Sequence, residues 1–199
     1  MDPIVMQAMV KWPSVPNVFG WLALDRRGNW LIKGDRIANP GITSFIARNY
    51  AQDELGRWFF QNGPQRVFVT LGYTPLVASV SADAPSRLQS HLGQAIERVS
   101  GAWIDEDGSL LLRWEAGVGV LNDQDLTNVL AMLTDVRGNA PSDAELDRAL
   151  DRETRRQATG LYVDYAGNRV PIGRIRSTEV SRKFGFNPAP RQAEGEPEC

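Results

Sequence analysis

The sequence predicts an α+β fold that is rich in antiparallel β-hairpins and a β-meander, with helices at its periphery. Three observations support this class. Hydrophobic residues make up 42% of the 199-residue chain, Asp-x-x-Gly patterns recur between short apolar runs, and a few segments combine helical spacing with capping residues. The apolar content is sufficient for one core or for two packed lobes.

Composition along the chain suggests three parts. We expect an N-terminal α+β lobe over residues 1–100 and a C-terminal hairpin and helix lobe over 101–186. The segment 187–199 has three prolines, three glutamates and no large apolar residue. Such a segment buries too little apolar surface to offset the entropy of ordering, so we expect a disordered tail.

The first elements are a short helix and a strand. Asp2 and Pro3 suit a helix start, which predicts a helix over residues 2–10 that ends before Pro13. Bulky apolar residues at 21–24 then favour a buried strand. This strand begins the first hairpin.

An Asp-x-x-Gly pattern follows an apolar residue and precedes a second apolar run three times, at Asp25 to Gly28, Asp105 to Gly108 and Asp164 to Gly167. Aspartate can accept hydrogen bonds from the backbone ahead of it, and glycine tolerates a positive φ. We therefore predict three β-hairpins. The copies are unevenly spaced, which argues against a solenoid.

Other elements follow the same logic. Asn39-Pro40 with apolar residues at helical spacing predicts a helix over residues 40–52, and caps at Asp123 and Ser142 predict two more helices. Further strands are expected near residues 58–60, 67–69 and 76–80. These three strands form the predicted antiparallel meander.

Two segments resemble a known family. Residues 20–28, GWLALDRRG, and residues 56–67, GRWFFQNGPQRV, are similar to segments of an uncharacterised proteobacterial protein family with no assigned activity. The similarity covers about residues 4–186 and is weaker at 135–157. The order of elements is also distantly similar to a second bacterial domain family of unknown function. The resemblance implies a mostly β, two-lobed fold and carries over no catalytic residues.

Charge and cysteine content limit the partners and the compartment. The net charge of −2 gives no global field for nucleic acid or anionic lipid, so nucleic acid is disfavoured as a partner. No uncharged apolar run is long enough to span a membrane, and the first residues lack the basic start of a signal peptide. The single cysteine, Cys199, excludes an internal disulfide. We expect a cytoplasmic protein.

Residues that could support catalysis, a metal or a cofactor are sparse. The sole histidine, His91, is not part of a hydrolase signature, and one histidine with one terminal cysteine makes a zinc site improbable. The acidic run 105–107 lacks the later ligands of a calcium loop, and Gly117 and Gly119 do not continue into a nucleotide-binding motif. We therefore expect no cofactor, no metal and no familiar catalytic centre.

An anion site is the first candidate for function, formed by Arg174, Arg176, Ser177 and Thr178. A helix start presents free N–H groups, and neighbouring guanidinium groups could complete a site for phosphate or carboxylate. The alternative is structural. Ser177 then only caps the helix, and both arginines lie on the outer face of a strand.

A pocket is the second candidate. A hairpin with alternating polar and aromatic residues can line a concave surface, and the residues concerned are Arg57, Trp58, Gln61, Gln65 and Arg66. Most of the aromatic residues in this segment are expected in the core.

A non-catalytic binding or regulatory module for a small anionic ligand is our leading hypothesis. A structural or homodimeric protein is one alternative, since Trp12, Val15, Val18 and Phe19 offer an apolar patch for a protein partner. An enzyme that uses carboxylates without a familiar motif is the other alternative.

Overall fold

The computed structural model describes residues 1–12, 15–151 and 158–192. The chain forms two compact units, one of Met1–Pro75 with Gly185–Cys199 and one of Leu76–Phe184. The described residues place a six-stranded sheet in the first unit and a nine-stranded sheet in the second. The predicted α+β class with many β-hairpins is confirmed. The boundary lies at Pro75, whereas the sequence suggested a lobe that ends at residue 100.

The first unit has two helices and six strands in its described part. In chain order these are α1 (Pro3–Lys11), β1 (Val18–Leu24), β2 (Trp30–Ile32), β3 (Asp35–Arg36), α2 (Pro40–Arg48), β4 (Tyr50–Gln52), β5 (Trp58–Asn62) and β6 (Gln65–Leu71). The strand order is β3-β2-β1-β6-β5-β4; β1 and β6 pair in parallel, and the other neighbouring strands pair antiparallel.

Helix α2 begins as predicted and ends earlier. The Asn39 side chain accepts hydrogen bonds from the N–H groups of Gly41 and Ile42, while Pro40 takes the first helical position. The helix ends at Arg48 because residues 50–52 pair with β5 as strand β4. Tertiary pairing therefore overrides the helical pattern in these last residues.

The second unit contains nine strands and three α-helices in its described part. These are β7 (Leu76–Ser81), β8 (Ala84–Ser90), β9 (Ala95–Ile96), β10 (Gly101–Ile104), β11 (Leu110–Trp114), β12 (Gly117–Leu121), α3 (Leu126–Leu130), β13 (Leu133–Thr134), α4 (Asp143–Leu150), β14 (Tyr162–Tyr165), β15 (Asn168–Arg174) and α5 (Val180–Phe184). The order is β13-β14-β15-β10-β11-β12-β7-β8-β9, with parallel pairs at β10/β15 and β12/β7. Strand β7 therefore pairs with β8 and β12, not with β6 as the predicted meander required.

The three predicted Asp-x-x-Gly hairpins are confirmed, and the same turn occurs at two further places. In four copies, which start at Asp25, Asp53, Asp105 and Asp135, one carboxylate oxygen accepts two backbone N–H groups at 2.8–3.0 Å. The glycine three residues later has a positive φ. The copy at Asp164 differs, because it is closed by Ala166 and Gly167, both with positive φ.

Part of the expected tail is attached to the first unit. The Asn187 N–H donates to the Gly56 carbonyl and the Leu71 N–H donates to the Pro188 carbonyl, each at 2.8 Å. Pro190 is buried. Backbone pairing and the burial of Pro190 therefore hold residues 187–190 against the first unit, although the composition of the segment predicted disorder. Residues 193–199 lie outside the described part of the chain.

The helices of the described ranges do not include one long and apolar enough to cross a membrane.

Candidate functional site

A cavity of about 420 Å³ lies in the first unit between helix α2 and the six-stranded sheet. Strand β1 contributes three residues to its wall, α2, β5 and β6 contribute two each, and β2 contributes one. The wall consists of Val18, Trp21, Leu22, Ile32, Ile42, Ile46, Phe60, Asn62, Gln65 and Val67. Eight of these side chains are apolar and two are amides. None is ionisable.

The strand register explains why these side chains meet. Leu22 lies opposite Ile32, and Phe60 lies opposite Val67, so each pair points to the same face of the sheet. Helix α2 covers this face with Ile42 and Ile46, which are four residues apart and share one side of the helix. Apolar side chains of one helix and four strands thus form most of the cavity wall.

The cavity has a buried floor and an exposed rim. Leu22 and Ile46 are 3% and 2% exposed, whereas Trp21, Ile32 and Ile42 keep about half of their surface in solvent at 54%, 46% and 47%. Large apolar side chains at the rim leave the cavity accessible from outside the unit.

Two amides give the cavity a polar end. Asn62 and Gln65 lie opposite each other where the β5–β6 hairpin turns. The Gln65 side-chain nitrogen donates to the Pro16 carbonyl at 3.0 Å, which fixes the amide at the wall. The Asn62 residue is exposed. An amide can donate and accept hydrogen bonds without carrying charge.

The residues of the predicted hairpin pocket separate between two faces of the sheet. Gln65 lines the cavity. Arg57 and Arg66 belong elsewhere, because their guanidinium groups lie over the rings of Phe68 and Phe59 at 4.4 and 4.7 Å. These two arginines pack on aromatic residues and do not line the cavity wall.

The Arg57 side chain also forms an ion pair, its Nε lying 2.8 Å from the Asp53 carboxylate. Burial by itself would raise the pKa of Asp53, but hydrogen bonds from the Arg57 backbone and side chain outweigh this effect and hold the pKa below its usual value. The pair therefore stabilises the turn that starts at Asp53.

The other two residues of the predicted pocket are core residues. Gln61 is 1% exposed and its amide donates to the Gly63 carbonyl at 2.9 Å. Trp58 is 9% exposed, with its ring centroid 4.7 Å from that of Tyr50. Both side chains therefore contribute to packing within the first unit.

At the predicted anion site, a carboxylate of the same chain already occupies the helix start. Glu106 accepts hydrogen bonds from the Ser177 N–H at 2.8 Å and from the Ser177 hydroxyl at 2.9 Å. Arg176 and Thr178 are exposed. The preference of a helix start for an anion is therefore met by Glu106.

Arg174 lies against helix α4. Its guanidinium donates to the carbonyls of Arg148 at 2.7 Å and of Asp151 at 3.3 Å, and also to that of Ala149. A cation at the end of a helix satisfies carbonyl groups that have no partner within the helix. Arg174 thus caps α4.

His91 takes a structural position in the second unit. Its Nδ1 accepts a hydrogen bond from the Val77 N–H at 3.2 Å. Burial lowers the pKa of His91 to about 4, so the ring is neutral near pH 7. In the described part of the chain, no three histidine, cysteine or acidic side chains are grouped so that they could hold a metal ion.

The predicted apolar patch is divided as well. Trp12 is 51% exposed, but Val18 lines the cavity and Phe19 stacks on Phe68 with ring centroids 4.6 Å apart. Val15 is half-buried. Two of the four side chains are therefore used within the first unit.

A family assignment follows from the sequence as a whole. Residues 1–191 match the DUF2944 family, which is described as "Protein of unknown function (DUF2946)". The chain belongs to this family. The resemblance to a family without an assigned activity is therefore confirmed, and no curated protein matches this DUF2944 member.

Two solved structures are similar to this family member. A DUF1285 family protein from Silicibacter pomeroyi DSS-3 has a TM-score of 0.52 and 12% identity, over 85% of this chain and 86% of that one. A DUF1285 family protein from Shewanella baltica OS155 has a TM-score of 0.43 and 18% identity, over 59% and 92% of the two chains. At 12% identity, the first similarity concerns the fold alone.

Proposed function

We propose that this DUF2944 member is a non-catalytic binding module whose ligand is a neutral, mainly apolar small molecule. The observation that carries the proposal is the cavity of about 420 Å³ with eight apolar side chains and two amides in its wall. Small-molecule sites typically measure about 300–1,000 Å³ and combine an apolar wall with a few fixed polar groups.

The absence of ionisable side chains from the cavity wall argues for a neutral ligand. A charged group that enters an apolar cavity loses its hydration, and the wall offers no opposite charge to replace it. The amides of Asn62 and Gln65 can instead bind a carbonyl or hydroxyl group of the ligand. The ligand should therefore place one polar end near the β5–β6 turn and its apolar body against α2.

This proposal differs from the small anion that the sequence favoured. Support for an external anion at Ser177 is weak, because Glu106 already accepts both of its hydrogen bonds. The cavity offers more apolar contact area, and buried apolar area is the main source of affinity for a ligand of this kind.

The proposal is tested by a pair of probes that differ only in charge. N-phenyl-1-naphthylamine is neutral, and 8-anilinonaphthalene-1-sulfonate adds a sulfonate to the same rings. We expect fluorescence titration to show saturable binding of the neutral probe. The affinity for the sulfonate probe should be at least about tenfold lower, because its charged group loses hydration in the cavity. Tighter binding of the sulfonate would contradict a neutral ligand.

An isoleucine pair supplies the matched variants. Ile42 lines the cavity, whereas Ile4 does not, and both lie in the first turn of a helix that begins with proline. Aspartate is tolerated in a first turn, so Ile42→Asp and Ile4→Asp should both fold. We expect only Ile42→Asp to weaken the neutral probe, by about tenfold or more. Equal affinities in the two variants would place the probe elsewhere.

A further inference from the structure

The second unit carries a large cleft whose chemistry is the opposite of the apolar cavity. It measures about 1,230 Å³ and is lined by Trp103 and Trp114 together with charged side chains of both signs, Glu97, Arg98, Arg113 and Glu115. All four charged residues are exposed. Within the described part of the chain, none of their side chains forms an ion pair or a hydrogen bond, so they are available to a ligand.

Trp103 forms a flat platform at this cleft. A Cβ atom at Gly101 would overlap the Cη2 atom of the indole, and one at Gly173 would lie 2.9 Å from its Cδ1 atom. The ring therefore lies directly on the backbone of two neighbouring strands, which only glycine at both positions permits. One face of the indole is therefore held against the backbone at Gly101 and Gly173.

Two residues of helix α5 contact the Trp103 ring. The Lys183 ammonium lies over the ring, 4.9 Å from its centroid, while Phe184 contacts the indole edge-on. Lys183 is exposed, and its long side chain can move from the ring to an incoming anion. A planar ligand could then stack on the indole next to this ammonium.

Strand register places Arg113 beside the same platform. Arg113 lies directly opposite Gly101 in the β10–β11 pair, so its side chain leaves the sheet on the face that carries Trp103. The six-membered ring of the indole covers Gly101. Arg113 and Trp103 therefore line the cleft from the same face of the sheet, and the Lys183 ammonium lies over the indole.

We propose that this cleft binds a mononucleotide. The base would stack on Trp103, as bases do on aromatic side chains in single-strand binding sites. Arg113 and Lys183 would bind the phosphate, and Glu97 or Glu115 would accept hydrogen bonds from ribose hydroxyls. The carboxylates repel a bare anion, so a ligand that carries a ring and hydroxyl groups fits better than inorganic phosphate. The site uses no glycine-rich phosphate loop.

Calorimetric titration of the full chain with AMP, GMP, CMP and UMP tests this proposal, with ribose 5-phosphate and inorganic phosphate as comparison ligands. We expect at least one nucleotide to bind about tenfold more tightly than ribose 5-phosphate, because only the nucleotide stacks. Trp103→Leu should remove this difference. Arg113→Ala should weaken both ligands by about tenfold, the effect of one charge-assisted hydrogen bond.

An exposed strand arginine outside the cleft provides the control. Arg87 lies in β8, and Arg87→Ala should leave nucleotide affinity unchanged. The proposal is overturned if no nucleotide binds at millimolar concentration, or if Arg113→Ala and Arg87→Ala have the same effect. If Trp103→Leu does not fold, the comparison of these two arginine variants decides the question alone.

Discussion

Replacing Gly56 with alanine is expected to lower the free energy of unfolding by about 3 kcal/mol. Gly56 has a φ of +75°, and a Cβ atom there would lie 2.5 Å from the Gly185 carbonyl oxygen and 3.1 Å from the Phe186 Cα. Both neighbours are backbone atoms and cannot rotate away. The variant therefore combines left-handed strain with a displacement of the chain around residue 185. Urea denaturation measures the change.

Gly138→Ala is the matched control for this variant. Gly138 occupies the same position of the same kind of turn, with a φ of +88°, but nothing lies within 4 Å of its Cβ direction. Only the conformational strain should remain, a loss of about 1 kcal/mol. Equal losses in the two variants would show that the contact between residues 56 and 185 does not constrain the turn.

Ending the chain after Phe186 is expected to lower the melting temperature by roughly 5–10 °C, which corresponds to about 2–3 kcal/mol in a protein of this size. The truncation removes two backbone hydrogen bonds, from Asn187 to Gly56 and from Leu71 to Pro188. It also removes the buried Pro190. Each lost hydrogen bond contributes about 1 kcal/mol.

A chain that ends after Gln192 separates the two parts of this C-terminal segment. It keeps every contact of residues 187–192 that the structure describes and lacks only residues 193–199. We expect this chain to recover most of the melting temperature that the chain ending after Phe186 loses. Identical melting temperatures for the two shortened chains would contradict the contribution of Asn187 and Pro188.

Local turn chemistry was the part of the fold that could be read most directly from the sequence. The turns at Asp25 and Asp105 were predicted because an apolar run flanks each one. The same turn at Asp53 was missed because Glu54 and Leu55 follow a segment that looked helical, and the turn at Asp135 was missed because its neighbouring strand has only two residues. An Asp-x-x-Gly search without the flanking condition would have found both.

Long-range pairing was harder to predict. The expected meander joined residues 76–80 to the preceding hairpin, but β7 pairs with β12 in the second unit. The prediction of a disordered tail was incomplete for a related reason. Proline has no N–H group to donate, but the Pro188 carbonyl still accepts a hydrogen bond from the Leu71 N–H. Amino-acid composition indicates how much apolar surface a segment can bury, but it does not indicate which backbone groups of the segment will pair.

The candidate site was only partly visible in the sequence. Gln65 was singled out and does line the cavity. Val18 was assigned to an apolar patch for a protein partner, and Leu22 and Ile46 looked like ordinary core residues. Apolar side chains that line a cavity and those that fill a core have the same periodicity. The carboxylate at the helix start comes from Glu106, 71 positions away along the chain, and no local pattern predicts a contact over that separation.

The most direct test of the apolar cavity is a methyl spectrum of protein labelled with carbon-13 at the isoleucine δ1 positions. Ile32, Ile42 and Ile46 line the cavity, whereas Ile96 and Ile172 are buried in strands of the second unit. Addition of N-phenyl-1-naphthylamine should shift the first three signals and leave the other two unchanged. Shifts at Ile96 or Ile172 without shifts at the three cavity residues would contradict the proposed binding site.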